Sequence, residues 1–150
     1  MPKDAKNVSH PNLKARVLPH NDEAEQAILG CVMIDENAPV TILSELTPDD
    51  FYSGAHKLIF TAMQSLAQED KPVDIVTLVQ EVETMGCMEK VGGITYLTDL
   101  SNFVPSADNY KHYLAIVKKN SLLRRLIAVS GKIADNAFEG DPAVNALELA

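Results

Sequence analysis

Residues 106–138 limit the possible folds more than any other part of the chain, because they predict one long helix with an excess of apolar surface. Asp108 and Asp135 are the only acids between Ser106 and Ala137. The basic residues of the stretch are Lys111, Lys118, Lys119, Arg124, Arg125 and Lys132. One apolar row at helical spacing consists of Tyr113, Ile116, Leu123, Ile127, Ala134 and Phe138. Apolar residues off that row are Tyr110, Leu114, Val117, Leu126, Val129, Ile133 and Ala137. A single stripe is enough to pack a helix on a core, so the excess predicts that one side meets this chain and another meets a partner.

Charge is distributed unevenly along the chain, whose net charge is −8. Residues 1–19 hold four basic residues and one acid, residues 20–105 hold three against fifteen acids, and residues 106–150 hold six against five. The acidic middle would repel nucleic-acid phosphate, which argues against direct duplex binding there. It would attract a basic partner protein, and it equally fits a solvated surface that keeps the protein soluble.

The basic residues of the long helix have three open interpretations. The first is a solvated helix face, and the second is a surface that docks on acidic protein, such as the acidic part of another subunit. The third is a contact for single-stranded nucleic acid, for which only Tyr110 and Tyr113 lie among the basic residues as possible stacking partners.

Helix-start and helix-stop signals divide the middle of the chain into short helices. Asp22 and Glu25 have the spacing of a capping box at the start of the first helix. Asp74 is predicted to cap a helix that ends at Gly86, and Gly140 is predicted to end the long helix. No stretch gives a convincing strand, so the sequence predicts an all-α fold.

The predicted architecture is a compact helical head followed by a helical hairpin. Residues 1–18 are predicted to be a flexible tail, residues 19–105 the head and residues 106–150 the hairpin. The first hairpin helix is predicted to begin at Pro105-Ser106, and Asp141-Pro142 marks the start of the second. That second helix reaches Ala150 without a stop signal, so we expect it to be truncated and the chain to be a fragment.

Catalytic and metal-binding motifs are missing from the sequence, so no catalytic, cofactor-binding or metal residue is predicted and the chain is not expected to be an enzyme. Gly131-Lys132 is the only Gly-Lys pair, and Leu126 stands where a phosphate-binding loop needs its first glycine. His56 is interpreted as a helix-start or core-edge histidine rather than a catalytic base. Cys31 and Cys87 are interpreted as reduced, buried thiols.

No run of residues has the length and apolarity of a membrane-spanning helix, and the N-terminus has no secretory signal. The sequence therefore predicts a cytoplasmic protein with no membrane contact.

An ordered series of short motifs covers about residues 18–150. Its members are Pro19, Glu23-Ala24-Glu25-Gln26, Leu29-Gly30, Asp50-Phe51-Tyr52, His56, Ile59-Phe60, Pro72-Val73-Asp74, Val76-Thr77-Leu78, Val91-Gly92-Gly93, Tyr96-Leu97, Pro105-Ser106-Ala107, Asn109-Tyr110, Tyr113, Ile116-Val117 and Leu123-Arg124-Arg125-Leu126-Ile127. At these spacings the chain resembles the N-terminal domain of the bacterial replicative DNA helicase of the DnaB type.

The resemblance implies a function for the excess apolar surface. In that family hairpins from two subunits pack together, and three such dimers form a collar in the hexamer, which receives the helicase-binding domain of primase. A motor domain that binds ATP and Mg and pulls on DNA is expected to follow, and a helicase loader is a further possible partner.

Particular residues are assigned to each contact. Those expected at the subunit interface are Tyr113, Ile116, Leu123, Ile127 and Ile133. Those expected at the primase-binding surface are Glu23, Tyr96, Arg124, Arg125 and Ile127. For Glu23 a helix-terminal charge, and for Tyr96 a core position, are the structural alternatives. For the chain as a whole, the alternative is a free-standing helical adaptor that binds primase or a helicase loader.

Overall fold

The computed structural model describes residues 16–103 and 109–140, and within these ranges it contains six α-helices and no strand. The helices are α1 (Asp22–Ile34), α2 (Ala38–Glu45), α3 (Gly54–Gln68), α4 (Ile75–Met85), α5 (Gly93–Asn102) and α6 (Tyr110–Glu139), with a 3₁₀ turn at Pro48–Asp50 between α2 and α3. The prediction of an all-α fold is confirmed. None of the described helices is both long enough and apolar enough to cross a membrane.

The start of α1 differs from the predicted capping box. Asn21, one residue before Asp22, is the N-cap, and its Oδ1 accepts a hydrogen bond of 2.9 Å from the backbone N–H of Ala24. The prediction of a box between Asp22 and Glu25 is therefore wrong. An asparagine caps as well as an aspartate, and Glu25 turns into the core instead of back to the helix end.

The ends of α4 and α6 agree with the sequence. Asp74 caps α4 by accepting from the backbone N–H of Thr77 at 2.9 Å, and the Thr77 hydroxyl accepts from the backbone N–H of Asp74. Gly86 and Gly140 end α4 and α6 in the left-handed conformation, with φ values of 69° and 60°. Glycine adopts this conformation without strain, which is why it marks helix ends so often.

Helix α1 lies at the centre of the head and contacts α2, α3, α5 and α6. Its apolar side is continuous with the buried residues of the other helices. The largest of these fully buried apolar residues are Phe51, Phe60, Ile28, Leu29, Ile42, Leu46, Ile59, Met63, Leu78, Leu97 and Leu100. One core therefore unites the head, and α6 joins it through α1.

Helix α6 divides into two halves with different surroundings. In the first half Leu114, Val117 and Ser121 are buried against the head, while after Ser121 the described part of the helix contains no buried residue. A 30-residue helix is about 45 Å long, so roughly half of that length extends beyond the head. Three predicted features lie outside the described residues: the start of α6 at residues 105–106, the second hairpin helix and most of the tail.

Candidate functional site

A buried carboxylate connects three parts of the head. Glu25 on α1 is 2% exposed, and its Oε1 lies 2.7 Å from Nδ1 of His56 on α3. Its Oε2 accepts from the backbone N–H of Tyr52 at 2.8 Å, and Oε1 accepts from that of Ser53 at 3.3 Å. Burial alone would raise the pKa of Glu25, but the hydrogen bonds from His56 and from these two backbone groups outweigh it and hold the pKa below its usual value.

His56 links Glu25 to Tyr96 of α5 through its second ring nitrogen. Its Nε2 lies 2.6 Å from the Tyr96 hydroxyl, and the two rings are stacked with an interplanar angle of 12°. If Nδ1–H of a neutral imidazole donates to Glu25, Nε2 is left to accept from the phenol. Burial raises the pKa of Tyr96, so the phenol keeps the proton that it donates. His56 lies near the start of α3, as the sequence predicted, and it is buried.

A second group of contacts fastens α6 to the head. One guanidinium nitrogen of Arg124 donates to the carbonyl oxygen of Pro19 at 2.8 Å, and the other donates to that of Asp50 at 2.7 Å. One turn earlier, the hydroxyl of Ser121 donates to Oδ1 of Asp50 at 2.6 Å. Both side chains of α6 therefore bind the 3₁₀ turn, and Arg124 also holds the segment that precedes α1.

The ring of Tyr52 joins the two groups. It stacks on His20 with the ring centroids 4.0 Å apart, and the Arg124 guanidinium lies 5.8 Å from its centroid. Its backbone N–H is one of the donors to Glu25. The chain of contacts thus runs from Tyr96 through His56 and Glu25 to Tyr52 and Arg124.

The structure brings most of the predicted primase-binding residues to the start of α1. Glu23 is exposed in the first turn of α1, and one turn later Gln26 donates to the Tyr96 hydroxyl at 3.4 Å. Arg124 contacts the segment just before α1, and Ile127, one turn further along α6, is 47% exposed.

Arg125 is placed differently. It is exposed and lines a cleft with Lys118 and Glu45 between α6 and the end of α2. Lys118 and Glu45 form an ion pair of 3.5 Å in that cleft. The two adjacent arginines therefore have different environments.

The predicted interface residues do not share one surface. Tyr113 and Ile116 are half-buried against the core of their own head, and Leu123 is also half-buried. Ile127 and Ile133 are exposed on the extending half of α6.

The extending half of α6 carries an exposed apolar stripe, of which only Ile133 is among the predicted interface residues. It consists of Leu122, Leu126, Val129 and Ile133, which we call the outer stripe, with exposed fractions of 51%, 54%, 55% and 37%. The spacing of four, three and four residues is that of the core positions of a coiled coil. This spacing was the signal that could have identified the stripe from the sequence.

The contacts of Glu25 had no comparable signal. Glu25 lies on the apolar side of α1, since Ile28, Leu29 and Val32 are buried three, four and seven residues later. That position alone predicts a buried acid, but nothing in the sequence pairs it with His56, which is 31 residues away.

Other features of the described residues do not belong to this site. A cavity of about 960 Å³ lies between the end of α1, α2 and the end of α3. In residues 16–103 and 109–140, no group of three His, Cys, Asp or Glu side chains is arranged to hold a metal ion. Burial and the nearby Asp35 raise the pKa of the Cys31 thiol, which keeps it unreactive.

Taken together, the described residues define an all-α domain with two parts: a head with a buried polar network, and a long helix that presents apolar side chains to its surroundings. Comparison with known proteins places this domain in a family. The family model for the DnaB-like helicase N terminal domain matches residues 17–119, and the chain belongs to that family. The predicted resemblance is confirmed.

Relatives and solved structures agree with this assignment. The replicative DNA helicase DnaC of Bacillus subtilis is 43% identical over 136 residues, which are 90% of this chain and 30% of that protein. The N-terminal domain of DnaB helicase from Mycobacterium tuberculosis superposes with a TM-score of 0.80 at 32% identity, covering 89% of this chain and 92% of that one. A DnaB-like replicative helicase, described with its interactions with primase, gives a TM-score of 0.72 at 28% identity, covering 86% of this chain and 30% of that one. The chain thus spans about 30% of the length of the curated relatives that it matches.

Proposed function

We propose that this chain is the non-catalytic N-terminal collar domain of a hexameric replicative DNA helicase, and that it assembles subunits and docks primase. The observation that carries the proposal is the outer stripe, an apolar surface on a helix that extends beyond its own head. Monomeric proteins seldom expose contiguous apolar surface of this kind unless it binds something.

Two apolar rows on the extending half of α6 favour a bundle of several helices. The outer stripe forms one row, and Leu123, Ile127, Ala134 and Phe138 form the other, of which Phe138 is 91% exposed. The predicted second hairpin helix would cover one row, and the hairpin of another subunit would cover the other. Tyr113 and Ile116 would then contribute only at the base of such an interface.

The energy of the outer stripe suits a reversible assembly. Full burial of one such side chain is worth about 1.5–3 kcal/mol, so burying the exposed half of eight of them in a dimer is worth roughly 6–12 kcal/mol. Association costs an estimated 4–15 kcal/mol. The two terms are of similar size, so assembly through this stripe alone is expected to depend on protein concentration.

Light scattering across a concentration series tests the assembly with a matched pair of variants. Val129 on α6 and Val76 on α4 are both helical valines, 55% and 64% exposed. V129D is expected to abolish the rise in mass with concentration, and V76D is expected to leave it unchanged. A wild-type chain that stays monomeric at high concentration, or equal effects of both variants, would count against the proposed assembly.

Primase docking is supported by the grouping of Glu23, Tyr96 and Arg124 around the start of α1, with Ile127 beside them. Arg125 lies on another side of α6 and is the weakest member of the predicted set. A solved relative is described with its interactions with primase, which gives the docking partner a precedent in the family.

Titration of the chain with the helicase-binding domain of primase tests the docking. Glu23 and Glu83 are both exposed helical glutamates, on α1 and α4. E23Q is expected to weaken primase binding severalfold, whereas E83Q should bind like the wild type. Absence of wild-type binding would refute the docking proposal.

The remaining activities belong to the proposed parent protein. ATP and Mg would bind in a motor domain outside this chain, and most contact with DNA would occur there. A helicase loader is a further proposed partner, and the cytoplasm is the location that goes with bacterial DNA replication.

A further inference from the structure

We propose that Glu25 is a positioning residue for the docking surface, because it holds Tyr96 through His56 and holds Arg124 through Tyr52. The inference rests on the proposed primase docking and adds to it the buried residues that set the surface geometry. Glu25 and His56 are each 2% exposed, so neither can touch a partner itself.

The first branch of contacts, which runs from Glu25 through His56, fixes the ring of Tyr96 at both ends. At the base of the ring, a Cβ placed on Gly92 would come within 3.0 Å of the Tyr96 Cβ and 3.1 Å of its Cγ, so the side chain packs directly on the Gly92 backbone. At the other end, the hydroxyl binds Nε2 of His56 at 2.6 Å. The ring is half-buried, so one side is held from within while the other remains open to a partner.

The second branch of contacts, which runs from Glu25 to the backbone of Tyr52, fixes the ring of Tyr52 beside Arg124. Glu25 Oε2 accepts the backbone N–H of Tyr52 at 2.8 Å, which sets the start of the segment between the 3₁₀ turn and α3. The Tyr52 ring then stacks on His20, and its centroid lies 5.8 Å from the Arg124 guanidinium. Glu25 is thus the point where the two branches meet.

If packing were the only requirement at position 25, a carboxylate would be energetically unfavourable there. Removing a charge from water is strongly unfavourable, and only a full set of donors offsets this cost. Glu25 has three such donors, which are the backbone N–H groups of Tyr52 and Ser53 and the ring of His56, all within residues 52–56. A satisfied buried network of this kind fixes one arrangement of its members, which an apolar side chain of the same volume would not do.

The first test separates the Tyr96 branch from the Glu25 contact. The asparagine amide occupies the place of Nδ1 in histidine, so H56N keeps a donor for Glu25 and loses the contact to Tyr96. H56N is expected to weaken binding of the helicase-binding domain of primase about fivefold to tenfold, which is the worth of one hydrogen bond. Y96F should have the same effect, and the double variant should bind no more weakly than Y96F alone. Losses that multiply in the double variant would overturn the inference.

S65A is the matched control. Ser65 also lies on α3, and its hydroxyl donates to Glu81 at 2.9 Å, away from Tyr96. S65A is expected to lower the melting temperature without changing primase affinity. Equal losses of affinity in S65A and H56N at equal loss of stability would mean that both act only through folding, and would overturn the inference.

NMR of labelled tyrosine rings tests the positioning without primase. In H56N the ring signals of Tyr96 should shift and broaden, while those of Tyr110 and Tyr113 stay unchanged. Unchanged Tyr96 signals would overturn the positioning role, whereas a wild-type chain that fails to bind primase would refute the docking proposal instead. If H56N does not fold, Y96F with labelled phenylalanine rings serves in its place: loss of ring order at position 96 supports the inference, and an unchanged ring orientation overturns it.

Discussion

At the scale of single residues, the most consequential side chain is an acid on the apolar side of α1. The free energy that Glu25 contributes depends on its charge, because its hydrogen-bond donors favour the carboxylate. Its pKa is lowered in the folded chain from the usual value of 4.5. The contribution is therefore fully present above about pH 4.5 and is lost as the pH falls through the lower, folded pKa.

E25Q removes this dependence. Glutamine cannot accept from all three donors without facing one of them with its own amide N–H, so the free energy of unfolding at pH 7 should fall by about 1–3 kcal/mol. Between pH 7 and pH 3 the variant should then lose less stability than the wild type. Urea unfolding at both pH values measures this, with E83Q as the exposed control. An acid response of E25Q equal to that of the wild type would show that Glu25 is not the group that titrates.

The adjacent arginines of α6 make a second prediction at this scale. R124A leaves the carbonyl oxygens of Pro19 and Asp50 without their donor and should lower the free energy of unfolding by about 1–3 kcal/mol. R125A removes an exposed side chain and should change it by less than about 0.5 kcal/mol. Thermal melts of both variants check this, and equal losses would contradict the assigned contacts.

At the scale of helices, local chemistry made most ends predictable. Asp74, Gly86 and Gly140 act as the sequence indicated, because caps and left-handed glycines work through neighbouring backbone groups. The N-cap of α1 lies one residue before the predicted one, since Asn21 and Asp22 are both good caps and the choice depends on Glu25 being buried. Tertiary contacts therefore determine which of two neighbouring residues caps the helix, where local signals do not distinguish them.

The end of α3 gives a prediction of its own. Asp70 has φ of 57° and is the only non-glycine residue with positive φ in the described part of the chain. The backbone N–H groups of Asp70 and Lys71 bind the carbonyl oxygens of Ala67 and Leu66, which is the Schellman arrangement that normally uses glycine. D70G should raise the free energy of unfolding by about 0.5–1 kcal/mol, whereas G86A should lower it by about 1 kcal/mol. Chemical denaturation of both variants tests the pair, and destabilisation by D70G would contradict the strain argument.

At the scale of the whole molecule, the fold class and the family followed from the sequence, but the division of α6 did not. Apolar residues occur along its whole length, so periodicity could not show that burial ends at Ser121. The placement of α6 depends on Ser121 and Arg124 binding the 3₁₀ turn, which lies more than 70 residues earlier in the chain. Such long-range pairs leave no pattern in a single sequence. For this reason the predicted interface combines residues packed against the head, such as Tyr113, with residues of the extending half of α6, such as Ile133.

The molecule also combines an acidic head with a basic long helix, so the proposed assembly has two possible driving forces. Attraction between a basic α6 and the acidic head of another copy would weaken strongly between 0.1 M and 1 M NaCl, since the screening length falls from about 10 Å to about 3 Å. Apolar burial along the outer stripe would not weaken, because salt does not screen it. We expect the mass measured by light scattering at a fixed concentration to be the same or higher at 1 M NaCl. The double variant K118Q/K119Q removes two exposed charges of α6 without touching the stripe, and it should assemble like the wild type. Dissociation at high salt, or in the double variant, would instead make charge the force that joins the subunits.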